Sequence, residues 1–380
     1  MAVLEGQGRF DVKERWMNLA PLRDLTVVED EGGGLVSTRT PTHRLQQSHL
    51  VAASGASMTN SLRVIRSGVG LDEVLAVEGI HDVTGLFPLA SGQSTGRLLI
   101  STDAATGQIG LDPEPTALPL HPDVASSRTI AASLVRPDVL AHVNARAVTL
   151  YSLTKSLNPV HDWRVGPDEE IVAASISDKY ILVAKKGGTV AILTASGQAL
   201  EELAYVDVSC RELTGRTVSV SSEVSTVAIL SAANVPSPVI AISTWTSEIL
   251  LYSLDHIQTT DPVVTPINEQ YHAVSLMLRP STTPVSSGVQ LIAGMSDGSM
   301  VVYELEQSDQ GGGVKNVSRK ASSLGSRPLI LCPVDSFHLG SENIIAIGLS
   351  ERMSVVFESK GRIDFSAVSK KASVTVRGNG

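Results

Sequence analysis

Cysteine is almost missing from this chain. Cys210 and Cys332 are its only two, far apart and with no CxxC pair, which excludes a zinc ribbon or a thioredoxin-like dithiol. Both are expected to sit as small apolar residues in strands. Aromatic side chains are scarce, at 4%. No run of about 18 apolar residues occurs, so no segment reads as a membrane helix. The start, MAVLEGQGRFDVKERW, has no apolar signal core, and the chain reads as intracellular. Nine histidines form neither HxxxH nor HExxH, so no metal and no cofactor are expected. Positive charge does not dominate: 30 Lys and Arg face 39 Asp and Glu, for a net charge of −9. That balance argues against a general binder of phosphate backbone. Apolar spacing of the i, i+3, i+4, i+7 kind is never sustained for three turns, so little helix is expected.

What is present is a recurring hairpin. Seven times an apolar run meets a short polar break and a second apolar run follows. The copies begin at Leu50, Leu98, Val139, Ile181, Val239, Leu291 and Ile344, and the clearest is LIAGMSDGSMVVYEL, Leu291–Leu305. One supersecondary unit every 40–58 residues marks a repeat protein. Strand units at this period predict β-propeller blades. An isolated hairpin is marginal in water and becomes stable by stacking on its neighbours. The turns suit it: Asp297-Gly298 and Gly187-Gly188 accept the positive φ of tight hairpins. The expected fold is therefore all-β, a propeller of about seven four-stranded blades, with the ring incomplete or unclosed. From Asp72 onward only six hairpins are counted, and Leu50–Arg66 is the candidate for a seventh. Loops are expected at 29–47, Asp112–Arg128, Gly166–Glu170, Ser231–Ser237, Pro280–Ser287 and Gln307–Lys320.

Several short motifs look like chemistry and read better as structure. Gly92-Gln93-Ser94-Thr95-Gly96 matches the GxSxG nucleophile elbow, but that device needs a strand-to-helix turn. Here it lies between two strands, which makes it a blade loop. Asp168-Glu169-Glu170 and Glu201-Glu202 read as solvated loop faces rather than as catalytic carboxylate pairs. Lys370-Lys371 with Arg377 reads as a solvated tail, and Asn316-Val317-Ser318 as loop. No enzyme is expected. A propeller hydrolase would need carboxylates or histidines converging from several blades, and none are seen. Trp245 differs from these. It stands in the turn of the fifth hairpin, where packing does not need a large ring, so it is either a binding anchor or a ring folded onto the next blade.

Three stretches carry a resemblance: ERWMNLAPLRDLTVVE at Glu14–Glu29, SLRVIRSGVGLDE at Ser61–Glu73 and GLFPL at Gly85–Leu89. They resemble the family that joins the large subunit of the UV-damaged DNA-binding protein to large propeller subunits of the polyadenylation and splicing machinery. The likeness runs over nearly the whole chain and covers about a third of a full family member. It implies that 1–70 is a linker with strands related to a neighbouring propeller. Residues 71–380 would then be the second propeller, lacking its last hairpin. It further implies a non-enzymatic adaptor in the nucleus, and also the cytoplasm, that docks a cullin in a ubiquitin ligase linked to DNA repair. The remaining propellers of the complex would be partners, with substrate receptors and nucleic acid met at most indirectly and no membrane contact. The cullin-facing residues carried over are Trp245, after Ala241-Ile242-Ser243, and Asp207, before the short strand Val208-Ser209-Cys210. The alternative within the family is a propeller subunit of an RNA-processing complex.

Overall fold

The protein is described from a computed structural model. It covers residues 2–5, 9–12, 21–28, 49–55, 61–65, 69–71, 77, 79–89, 96–111, 115–153, 158–197, 199–208, 210–213, 216–219, 223–232, 235–259, 266–281, 288–307, 314–334, 343–359 and 362–370. The chain divides into two compact units, Leu71–Phe365 and Met1–Gly70 with Ser366–Gly380.

The larger unit is a succession of antiparallel sheets that follow chain order. Sheet I comprises Val83–Leu89, Arg97–Thr102, Thr106–Gly110 and Thr116–Leu118. Sheet II comprises Ala131–Arg136, Val139–Val143, Ala147–Ser152 and Asn158–Arg164. Sheet III comprises Ile171–Ser177, Tyr180–Lys185, Thr189–Ser196 and Ala199–Asp207. Sheet IV comprises Val224–Leu230, Val239–Thr244, Glu248–Ser253 and the short Ile267–Asn268. Sheet V comprises Ala273–Pro280, Val289–Met295, Ser299–Gln307 and Val314–Ser323. Sheet VI comprises Ile330–Pro333, Asn343–Leu349, Met353–Ser359 and Arg362–Lys370. The recurring hairpin is the second and third strand of each sheet. The longest interval, 58 residues from Ile181 to Val239, holds an extra hairpin, Cys210–Leu213 paired with Arg216–Ser219.

Stacking explains why those two strands are so apolar. Val139–Val143 and Val289–Met295 are buried at every position. A central strand packed on both faces needs a continuous apolar run rather than alternation. Five apolar clusters join the sheets in order. Leu99 and Leu140 join I to II, Leu150 and Ile181 join II to III, and Ile192 and Ile240 join III to IV. Ala241 and Leu291 join IV to V, and Ile292 and Val356 join V to VI. The first strands of consecutive sheets are neighbours, so each sheet starts inside and meanders outward. The fold is an all-β propeller. Among the described residues, six of its blades are seen as sheets of four or more strands.

The smaller unit pairs Ala2–Glu5 with Arg9–Val12 and holds a separate three-stranded sheet, Leu22–Val28, His49–Ser54 and Ser61–Ile65. The Leu50–Arg66 hairpin therefore forms, but in a sheet of its own.

Some expectations change. Residues 112–128 contain a strand, Thr116–Leu118, and a short helix, Pro122–Ala125, with Pro122 where a helix accepts a missing N–H. The Gln307–Lys320 loop gives way to Val314–Ser323, the outer strand of sheet V, which includes Asn316-Val317-Ser318. Outer strands carry mostly exposed side chains, so this one lacks an apolar signature. Cys332 is in a strand but is exposed. Glu201 and Glu202 are on a strand, not a loop, and Glu202 accepts from Trp163 Nε1 at 3.2 Å. Glu169 accepts two hydrogen bonds from Lys185 Nζ and one from the Gly166 amide. The amide and the ammonium together hold its carboxyl below the usual range. The loops at 29–47 and 282–287, residues 92–95 of the GxSxG stretch, the triple glycine at 311–313 and the tail from 371 lie outside the described residues.

Candidate interaction face

In a four-stranded antiparallel meander, the turn between the second and third strands lies on the same face as the link to the next sheet. Backbone hydrogen bonds fasten the two together. In sheet III, Lys186 N donates to Glu170 O at 2.7 Å and Val208 N to Gly188 O at 3.0 Å. In sheet IV, Trp245 N donates to Glu223 O at 3.0 Å and Glu269 N to Ser247 O at 2.9 Å. In sheet V, Ser296 N donates to His272 O at 3.0 Å. One face of the propeller is thus a series of tight turns, each pinned to its own first strand.

Both residues singled out from the sequence lie on this face. Asp207 is exposed and closes the outer strand of sheet III, where it pairs with Thr189, the residue just after the turn. It ends a nine-residue strand rather than leading straight into a short one, because Cys210 begins the next. Val208, one residue on, is buried in the sheet III–IV cluster, which anchors the chain there. Trp245 is the first residue of the sheet IV turn and is 56% exposed. Ser247 takes a positive φ of 65°, a conformation that lets a three-residue turn close. The Thr244 and Thr246 hydroxyls, 2.8 Å apart, brace the same turn. Strand pairing thus brings Asp207 and Trp245 to the same face of consecutive sheets.

The folded-back alternative for Trp245 is met only in part. Its ring leans toward sheet V, with its centroid 4.6 Å from that of His272 at 46°, while over half of its surface stays open to solvent. Tyr271, next to His272, is 43% exposed. Neither Tyr271 nor His272 was picked out from the sequence, since each is an isolated residue between two strands. The run Glu-Gln-Tyr-His directly before a strand is the only signal available. Among the described residues, no group of three or more His, Cys, Asp or Glu side chains could hold a metal ion.

Stacked strand modules with their turns gathered on one face define a β-propeller that offers loop side chains to other molecules. Residues 73–377 match the family described as the RSE1/DDB1/CPSF1 second beta-propeller, and the chain belongs to that family. It is similar to DNA damage-binding protein 1 of Oryza sativa subsp. japonica, 24% identical over 372 residues, which is 95% of this chain and 30% of the relative. It is similar to DNA damage-binding protein 1 of Drosophila melanogaster, 25% identical over 366 residues, 94% of this chain and 28% of the relative. A third relative is DNA damage-binding protein 1a of Arabidopsis thaliana, 24% identical over 373 residues, 95% of this chain and 30% of the relative. The chain spans under a third of the length of these relatives.

Proposed function

We propose that this chain is a non-enzymatic, protein-binding scaffold: residues 71–380 form an adaptor propeller, and 1–70 are a linker with strands related to a neighbouring one. Its setting is a DNA-damage response complex in the nucleus. Within that setting the propeller docks a cullin, and Asp207 and Trp245 lie on the docking face. The remaining propellers of the complex and, through them, substrate receptors are its other partners. The observation that carries this reading is Trp245, a large apolar ring left 56% exposed on a rigid hairpin turn. Rings of this kind dominate the binding energy of protein interfaces. The damage-binding names of the relatives favour this reading over an RNA-processing complex.

The test is a binding titration with the amino-terminal region of a cullin. Trp245→Ala is expected to weaken binding by about thirtyfold, the scale of an interface hot spot of about 2 kcal/mol. Asp207→Ala is expected to weaken it less and to lower its salt dependence. Unchanged affinity in Trp245→Ala, with the fold intact, would overturn the docking assignment.

A further inference from the structure

The segment Glu269–His272 links sheet IV to sheet V and is fixed at both ends. Its first amide donates to Ser247 O in the sheet IV turn, and its last carbonyl accepts from Ser296 N in the sheet V turn. The Glu269 side chain is only 8% exposed. Its Oε1 accepts from Tyr303 Oη and from Arg319 Nε, both at 2.7 Å, and its Oε2 accepts from Arg319 Nη2 at 2.7 Å. Tyr303 and Arg319 are on the third and fourth strands of sheet V and pair directly across the ladder. One carboxylate therefore ties the segment to sheet V, while its own amide ties it to the Trp245 turn.

A two-pronged ion pair with a third hydrogen bond is a rigid device. It is more than the four-residue link needs for chain continuity alone. What the segment presents at its other end is Tyr271, exposed, and His272, in tilted ring contact with Trp245. The acidic residues near the turn are Glu223, whose carbonyl holds the Trp245 amide, and Glu248, which accepts from Thr246 Oγ1 at 3.3 Å.

We propose that Trp245, Tyr271 and His272 form one aromatic patch, positioned by the Glu269–Arg319–Tyr303 cluster, that receives a protein segment presenting an apolar side chain flanked by lysine or arginine. The proposal rests on the docking reading above and extends it to a second sheet and to the partner's chemistry. The rings supply apolar area, and a cation laid on an indole face is favoured. Glu223 and Glu248 add attraction for the flanking charges. Glu269, Arg319 and Tyr303 are positioning residues: they act through the segment they hold.

Fluorine NMR of the chain labelled with fluorotryptophan reads the positioning without any partner. Trp245→Phe identifies the Trp245 signal among the three tryptophans, and His272→Ala gives its position without the His272 ring contact. Glu269→Gln is expected to move the Trp245 signal toward the His272→Ala position and leave the other two signals in place. An unmoved Trp245 signal overturns the positioning role. Should Glu269→Gln lose all three native signals, Tyr303→Phe, which removes one of the three hydrogen bonds, is read the same way.

Cullin titrations read the patch. Tyr271→Ala is expected to weaken binding about tenfold, and Glu248→Lys to weaken it with a shallower salt dependence. If Trp245→Ala weakens binding and Tyr271→Ala does not, the patch is overturned while the docking reading stands. If Trp245→Ala has no effect, the docking reading and the patch fall together, and the NMR result still decides the role of Glu269.

Discussion

Arg279 and Glu358 meet inside the seam between sheets V and VI, with Nη2 and Oε2 2.7 Å apart and side chains only 17% and 5% exposed. Arg279 shares the sheet VI side of sheet V with Met277, and Glu358 shares the facing side of sheet VI with Val356, so the pair continues the apolar seam. Among the described residues, the buried Arg279 Nη1 has no hydrogen-bond partner. A buried pair of this kind is weak evidence for stability, yet removal of one member leaves an uncompensated charge. Glu358→Ala is expected to destabilise the propeller by about 3–5 kcal/mol. The joint replacement Arg279→Met with Glu358→Leu is expected to lie near the wild type. Urea unfolding of the three proteins checks this, and a double variant as unstable as Glu358→Ala would contradict it.

His142 is expected to make the protein acid-sensitive. It is 1% exposed in sheet II, and its Nε2 lies 2.8 Å from Thr129 Oγ1. Thr129 in turn meets Thr106 Oγ1 at 2.8 Å, which bridges to sheet I. Burial lowers the imidazole pKa from 6.5 to about 4. The unfolded chain therefore binds a proton that the fold refuses between these values, and stability falls as pH drops from about 6.5 toward 4. The full loss is about 3 kcal/mol, by the usual 1.36 kcal/mol per unit. Above pH 7 this contribution is complete and flat. Denaturation midpoints of the wild type and His142→Gln between pH 4 and 7.5 check the slope, which the variant should reduce.

Gly294 is expected to tolerate no side chain. A Cβ at this position in sheet V would come within 2.1 Å of the Leu329 carbonyl oxygen and 2.5 Å of Ser275 Oγ. That hydroxyl is already engaged, donating to Leu329 O at 2.9 Å and accepting from Leu331 N at 3.0 Å. The neighbouring sheet's backbone cannot retreat without breaking both bonds. Gly294→Ala should cost at least the 1–3 kcal/mol of an overpacked core. Gly107→Ala in sheet I, where nothing lies within 4 Å of the added carbon, is the matched control. Thermal melts of the two variants should separate clearly.

Glu269 gives a second acid transition. Hydrogen bonds from Arg319 and Tyr303, with the Arg319 charge, hold its carboxyl below the usual range, against a smaller opposing effect of burial. A lowered folded pKa means that the contribution is complete above the unfolded value and disappears as pH falls through the folded one. Glu269→Gln should therefore lower stability at pH 7, by about 1–3 kcal/mol given that Arg319 is partly exposed. The gap between variant and wild type should narrow below about pH 4. A gap that does not depend on pH would contradict it.

The central strands were the legible part of the fold. Runs such as Val139–Val143 and Val289–Met295 are buried on both faces, so burial wrote them directly as apolar segments, and the turns between them are short and polar. The outer strand Val314–Ser323 looks like loop in the sequence because it has a neighbour on only one edge and most of its side chains face solvent. Sequence pattern reports burial, and an exposed strand is held by backbone hydrogen bonds that any side chain permits. The same asymmetry holds at the interaction face. Trp245 was visible because a ring in a turn violates the local pattern. Tyr271 and His272 were not, because they break no pattern where they stand.

The amino-acid order alone determined a repeat of hairpins, their number from Asp72 onward, their short turns and the scarcity of helix, all of which depend on neighbours within a few residues. Stacking decided what lies beside what. His272 reaches Trp245 across 27 positions, and Glu358 reaches Arg279 across 79, only because consecutive sheets pack face to face. Such contacts are set by the spacing and twist of whole sheets, and no local stretch of sequence encodes those.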